Sequence, residues 1–167
     1  MITEQVRQAM GFAMKAHMGQ VRKYSGAPYF THPLSVMQIV SENSNPTEPM
    51  LIASLLHDVV EDTEISLDAI DISFGSEVRE LVWWLTDPSE PSDGNRAVRK
   101  AMDREHLARA PYEAQTIKYA DLIDNTQDIK TNDLGFWGVY REEKRQLLEV
   151  MNQGCAKLYG MAQQQLI

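Results

Sequence analysis

The sequence predicts an all-α protein of about seven to eight helices, on the strength of two observations. Apolar residues recur three or four positions apart along most of the 167-residue chain, which is the helical period. Stretches rich in glycine, proline, serine and asparagine interrupt this period, and no alternation of apolar and polar residues is long enough to predict a strand. We therefore expect residues 1–167 to form a single domain, one compact helical bundle.

Local signals predict where the helices begin and end. The first helix is expected to run to about His17, and a loop containing two glycines and a proline follows over residues 19–29. Pro33 suits the first turn of the next helix, and Ser66 and Gly75 are expected to cap and end a short one. The other helices are predicted over residues 50–62, 76–86 with Ser76 as its cap, about 96–109, 112–130 and 137–162.

Composition limits the partners and the location. The formal net charge is −8, and an acidic protein is poorly suited to nonspecific binding of DNA or of anionic membranes. The single cysteine excludes an internal disulfide, no apolar run approaches the roughly 20 residues of a membrane span, and no signal peptide is visible. We therefore expect a cytoplasmic protein that binds neither DNA nor membrane. The sequence allows a homo-oligomer but does not indicate one.

One apolar helix carries charged groups that its surroundings disfavour. One histidine and three acidic residues lie among the leucines and valines of LLHDVVEDT: His57, Asp58, Glu61 and Asp62. On a continuous helix, residues four apart share a face, so His57 stacks with Glu61. Asp58 stacks with Asp62 on the neighbouring face, about 100° away. The alternative is that this segment is the exposed end of an amphipathic helix.

A bound divalent cation explains these charges better than an exposed helix end does. A buried charge costs several kcal/mol unless a partner compensates it, and three acids within five residues repel one another. Histidine and carboxylate ligands favour a mid-row divalent ion such as manganese. The chain has no H-E-x-x-H motif and no pair of cysteines, so neither a zincin nor a structural zinc site is indicated.

Three segments resemble, in order, the three hydrolase motifs of the RelA/SpoT branch of the HD superfamily of metal-dependent phosphohydrolases: AHMGQVRKYSGAPYFTHP, LLHDVVEDT and IKYADLIDNTQD. The resemblance covers about residues 9–130 and extends to the small stand-alone alarmone hydrolases, the Mesh1-like enzymes. Those are all-α proteins that use manganese to remove the 3′-pyrophosphate from guanosine tetraphosphate and its relatives. The resemblance implies the same reaction here, with one Mn²⁺ per chain and a small nucleotide as substrate.

The resemblance also implies a role for individual residues. The implied metal ligands are His32, His57, Asp58 and Asp121. Glu61 and Asp62 match the acidic pair that positions or activates the attacking water. The implied substrate contacts are Arg22 and Lys23 near the base, Asn125 at the nucleoside, and Asp128 three residues later.

Two departures from the family pattern lie near the expected nucleoside pocket. The usual ADRLHN is ADLIDN here, so Asp124 replaces a histidine and Leu122 replaces an arginine. The loop over residues 22–29 is one residue longer than the usual one. Both changes bear on the base preference more than on the chemistry.

A basic cluster lies on the helix predicted over residues 96–109: Arg96, Arg99, Lys100, Arg104 and Arg109. Five basic residues oppose only two acidic ones in this segment, in a chain whose net charge is −8. The cluster could receive the phosphates of the substrate, since cations bind phosphate oxygens strongly. The alternative is a solvated helix face.

Two other functions stay open. One is a phosphohydrolase of another nucleotide on the same fold, such as an adenine alarmone, the 2′-phosphate of NADPH or a nucleoside monophosphate. The other is a non-catalytic protein that binds nucleotides or neutralises a partner. The segments SGAPY and EDT favour the alarmone hydrolase, and the presence of all six implied ligands and acids disfavours a non-catalytic protein.

Overall fold

A computed structural model describes residues 2–167 of the chain. Within these residues there are ten α-helices and no strand, which confirms the all-α prediction with slightly more helices than expected. The helices are α1 (Glu4–Ala16), α2 (Thr31–Asn43), α3 (Glu48–Leu56), α4 (Val59–Asp62), α5 (Leu67–Phe74), α6 (Ser76–Leu85), α7 (Arg96–Ala108), α8 (Tyr112–Asn132), α9 (Leu134–Val150) and α10 (Ala156–Gln164). A single 3₁₀ turn, Pro91–Asp93, lies in the loop between α6 and α7.

Most helix starts and stops follow the local signals. The Oγ of Ser66 accepts a hydrogen bond from the backbone N–H of Ala69 and caps α5 as predicted. Gly75 ends α5 with a φ of +88°, a backbone conformation that side chains disfavour. The expectation that Ser76 caps α6 is wrong, because Gly75 occupies the cap position and no side chain caps this helix.

The helix predicted over residues 50–62 is interrupted at the charged pair. The first part, α3, ends at Leu56, α4 begins at Val59, and His57 and Asp58 form the turn between them. The Nδ1 of His57 shares a hydrogen bond of 2.8 Å with the carbonyl oxygen of Ser54, which a regular helix would offer to a backbone N–H. The predicted stacking along one continuous helix is therefore wrong, and the turn directs both side chains to one point.

The C-terminal helix predicted over residues 137–162 is two helices, α9 and α10. Side chains of α8 accept the backbone donors at the break: Gln115 accepts from the N–H of Gln153, and Thr116 accepts from the N–H of Cys155. Gly154 lies against the ring of Tyr119, where no side chain fits. The break is a tertiary effect of packing against α8.

The long helix α8 forms the centre of the bundle. It packs against α2, α3, α6, α9 and α10, and it buries Ile117, Ala120 and Ile123 completely or nearly so. Because α2 and the turn after α3 reach the middle of α8, their polar side chains meet its polar residues at one place. No helix among residues 2–167 is both long enough and apolar enough to cross a membrane.

Gly154→Ala tests the packing that divides α9 from α10. An added Cβ would overlap Cε2 of Tyr119 and lie 2.9 Å from the backbone nitrogen of Thr116. We expect the overpacking to lower the free energy of unfolding by about 1–3 kcal/mol. Gly160→Ala is the control, since an added Cβ there meets nothing within 4 Å and should stabilise α10 by up to about 1 kcal/mol. Urea denaturation measures both, and equal stabilities would contradict the packing account.

Candidate active site

Four polar side chains from three parts of the fold converge on one point. They are His32 in the first turn of α2, His57 and Asp58 in the turn after α3, and Asp121 of α8. The Nε2 of His32 lies 3.2 Å from Asp121 Oδ1 and 3.5 Å from Asp58 Oδ2. The Nε2 of His57 lies 3.1 Å from Asp58 Oδ2 and 3.8 Å from Asp121 Oδ1. We call these four atoms the donor ring.

The donor ring fits a divalent cation. The Nδ1 of His57 faces the Ser54 carbonyl and therefore carries the proton, which leaves Nε2 as an acceptor. This Nε2 is buried and has no hydrogen-bond partner among the described residues. Two ligand atoms that lie about 2.1 Å from an octahedral ion, at right angles to each other, are about 3.0 Å apart. The distances within the donor ring run from 3.1 Å to 3.8 Å, near this value or somewhat longer. Donor atoms of His32, His57 and Asp58 all lie within 4.8 Å of one another.

A carboxylate behind the ring orients His32. The Oδ2 of Asp124 lies 2.6 Å from His32 Nδ1, and its Oδ1 accepts a hydrogen bond of 2.6 Å from Ser35. Burial alone would lower the pKa of His32, but its hydrogen bonds to Asp121 and Asp124 raise that pKa to about 9. Sequence reasoning treated Asp124 only as a departure from the family pattern. The signal that could have found it is its position one helical turn after Asp121, on the same face of α8.

The two carboxylates of the ring also have partners of their own. Lys118 Nζ lies 2.8 Å from Asp121 Oδ2, and Asn125 donates a hydrogen bond of 2.6 Å to Asp121 Oδ1. The hydroxyl of Tyr29 donates a hydrogen bond of 2.6 Å to Asp58 Oδ2. Burial alone would lower the pKa of Lys118, but Asp121 raises it above its usual value. Sequence reasoning missed Lys118 and Tyr29, although Lys118 lies one turn before Asp121.

The acidic pair lies on α4, immediately after the turn that supplies two of the donors. Glu61 is an exposed residue, but its carboxylate lines a cleft and accepts a hydrogen bond from the backbone N–H of Asp87. Protein atoms around this carboxylate, and then the charge of Asp87, raise the pKa of Glu61 to about 7. Burial and the neighbouring Asp58 raise the pKa of Asp62 in the same way. A carboxylate with a pKa near neutrality suits proton transfer.

The structure separates the two basic residues that were predicted near the base. The Arg22 side chain is 12% exposed, and its guanidinium donates to Asp124 at 2.8 Å and to Asp128 at 2.9 Å. Lys23 is exposed and lies 3.2 Å from Asp133. A cavity of about 410 Å³ lies on the side of Arg22, and its lining also includes Thr31, Asp124, Gln127, Asp128 and Asn132.

A second cavity, of about 150 Å³, opens beside Asp121. Its lining includes five basic residues, Arg96, Lys100, Arg104, Lys118 and Lys144, and four acidic ones, Asp87, Asp103, Asp121 and Glu143. Three members of the predicted basic cluster thus face the site. Arg99 lines the cleft of Glu61, whereas Arg109 donates to the backbone oxygen of Glu105. The segment is not a uniformly solvated helix face.

Comparison with known proteins agrees with this geometry. Residues 9–133 match a family model described as the HD domain. The chain is 32% identical to human guanosine-3′,5′-bis(diphosphate) 3′-pyrophosphohydrolase MESH1 over 142 residues, which are 84% of this chain and 78% of that protein. It is 34% identical to the Vibrio cholerae protein named guanosine-3′,5′-bis(diphosphate) 3′-pyrophosphohydrolase over 77% of this chain, but over only 18% of that protein.

A solved structure of a metazoan orthologue of SpoT that hydrolyses ppGpp superposes on this chain with a TM-score of 0.89. The two chains are 29% identical, and the match covers 98% of this chain and 94% of that one. The resemblance inferred from the three motifs is therefore confirmed. The chain belongs to the HD-domain family.

Proposed function

We propose that the protein is a manganese-dependent hydrolase that removes the 3′-pyrophosphate from guanosine alarmones of the (p)ppGpp type. The observation that carries the proposal is the donor ring, with the buried and unpartnered Nε2 of His57, beside an acidic pair and a cavity whose lining includes five basic residues. The names of the relatives support the choice of substrate.

The donor ring and the acidic pair divide the chemistry between them. His32, His57, Asp58 and Asp121 hold the ion, which when bound polarises a phosphoryl oxygen and makes water more acidic. Glu61 takes a proton from the water that attacks the phosphorus on the 3′-oxygen, and Asp62 orients that water. The bond between this phosphorus and the 3′-oxygen breaks, and the oxygen takes up a proton. The products are pyrophosphate and a nucleoside 5′-di- or triphosphate.

The cavity beside Asp121 and the cavity beside Arg22 receive the two ends of the substrate. Lys118 lines the cavity beside Asp121 and contacts that carboxylate, so its charge lies where phosphate oxygens would approach the ring. Fixed cations there stabilise the negative charge that develops on the phosphoryl oxygens. On the other side, Arg22 and Asp128 line the cavity that receives the nucleoside. Lys23 follows Arg22 in the chain, and Asn125 lines the cavity beside Asp121.

Metal removal tests the ion. Dialysis against a chelator should abolish pyrophosphate release, and manganese should restore it better than calcium, because histidine ligands disfavour calcium. Asp58→Ala should lose bound metal and activity together. Glu64→Gln, which changes an exposed acid close in sequence, should keep both. Metal content and turnover are measured on each protein. Full activity without metal would contradict the assignment of the donor ring as a catalytic metal site.

Glu61→Gln tests the base. The variant keeps the shape of the side chain, so metal and nucleotide should still bind, while kcat should fall by about 10²-fold or more. A base works in its deprotonated form, so wild-type kcat/KM should fall as the pH drops through the pKa of Glu61, about 7 without the cation and lower with it. This acidic limb should be missing in the variant. If Glu61→Gln strips the metal, Glu61 is a ligand and the division of roles is wrong.

Lys23→Ala tests the nucleoside side. Loss of the proposed contact between Lys23 and the substrate should raise KM several-fold. Metal content should stay unchanged, because Lys23 is exposed and touches no member of the donor ring. Lys15→Ala, an exposed lysine in the last turn of α1, is the control and should leave KM unchanged. Kinetics on guanosine alarmones, adenosine alarmones and NADPH decide the substrate. A clear preference for either of the latter two would replace the proposed one.

A further inference from the structure

One carboxylate joins the donor ring to the nucleoside side of the site. The Oδ2 of Asp124 lies 2.6 Å from His32 Nδ1 and accepts a hydrogen bond of 2.8 Å from Arg22 Nη1. Its Oδ1 accepts from Ser35, which lies one turn after His32 on α2. The carboxylate is therefore fixed at both oxygens and cannot turn without breaking a contact to His32, Arg22 or Ser35.

The contact between Asp124 and His32 determines which imidazole nitrogen of His32 is available to a cation. A carboxylate acceptor at Nδ1 holds a proton on that nitrogen, so Nε2 is the nitrogen that would give up its proton and turn its lone pair to a cation in the donor ring. His57 is also oriented by a hydrogen bond at Nδ1, but its acceptor is the neutral carbonyl of Ser54. The orientation of His32 therefore depends on a side chain that can be changed, whereas the orientation of His57 depends on the backbone.

The contact to Arg22 fixes the wall of the nucleoside cavity. The guanidinium is shared between two carboxylates, because Asp128 accepts from Nε at 3.1 Å and from Nη2 at 2.9 Å. Asp128 touches Arg22 but not His32, whereas Asp124 touches both at the same oxygen. The two aspartates thus form a natural pair for comparison.

We propose that Asp124 is a positioning residue that sets the geometry of the metal centre and of the nucleoside cavity together. Through His32 it determines the affinity for the divalent ion, and through Arg22 it determines the affinity for the nucleoside. The second half rests on the proposed function, whereas the first half depends only on the donor ring. Replacing Asp124 should therefore weaken the binding of both the divalent ion and the nucleoside, whereas replacing Asp128 should weaken only the binding of the nucleoside.

The test compares Asp124→Asn with Asp128→Asn. Mn²⁺ binding is measured by calorimetry without nucleotide, and KM is measured at saturating Mn²⁺. Asp124→Asn should weaken Mn²⁺ binding about 10- to 100-fold, the range for losing such an orienting partner, and should raise KM. Asp128→Asn should raise KM but leave Mn²⁺ affinity within about two-fold. If Asp124→Asn does not fold, Asp124→Glu against Asp128→Glu gives the same comparison, since an added methylene displaces the carboxylate.

Three outcomes would overturn the proposal. Unchanged Mn²⁺ affinity in the Asp124 variant removes the link to His32. Equal loss of Mn²⁺ affinity in both variants means that the effect arises from the Arg22 loop and not from His32. Unchanged KM in the Asp124 variant removes the link to Arg22. If the Mn²⁺ result is as expected but wild-type enzyme hydrolyses no alarmone, the proposed function fails while the role of Asp124 at the metal centre stands.

Discussion

The structure depends on placing two carboxylates and two imidazoles against one another in a largely buried site. Such a cluster is costly unless each charge has a compensating partner. Lys118 compensates Asp121, the hydroxyl of Tyr29 holds Asp58, and Asp124 faces His32. Within the described part of the chain, Nε2 of His57 is a fully buried ring atom that has no hydrogen-bond partner. A divalent cation is the partner that this arrangement lacks.

One helix connects the cluster to the rest of the site. Residues of α8 spaced three or four apart share a face, and they present in succession a cation, a ring carboxylate, an orienting carboxylate and a nucleoside-side carboxylate: Lys118, Asp121, Asp124 and Asp128. The opposite face of α8 is in the hydrophobic core, so this row is held rigidly. The groups on α8 that face the phosphates, the metal and the nucleoside are therefore held at fixed distances from one another.

The sequence predicts the helices and the motifs but not the contacts that cross between them. Periodicity and caps predicted α1, α2, α5 and α8, because those signals are local. The interruption at His57 escaped prediction because a side chain takes the carbonyl of Ser54, and the break before Cys155 because Gly154 packs against Tyr119. The role of Asp124 depends on a contact to His32, 92 residues away in the chain, which no local pattern indicates.

Pulsed electron paramagnetic resonance on the Mn²⁺-loaded protein tests the central claim most directly. With ¹⁵N-labelled histidine, two histidine nitrogens should show hyperfine coupling to the ion, and His57→Ala should remove one of the two couplings. Binding of Mn²⁺ without any histidine nitrogen coupling would mean that the ion lies elsewhere. The donor ring would then not be the metal centre.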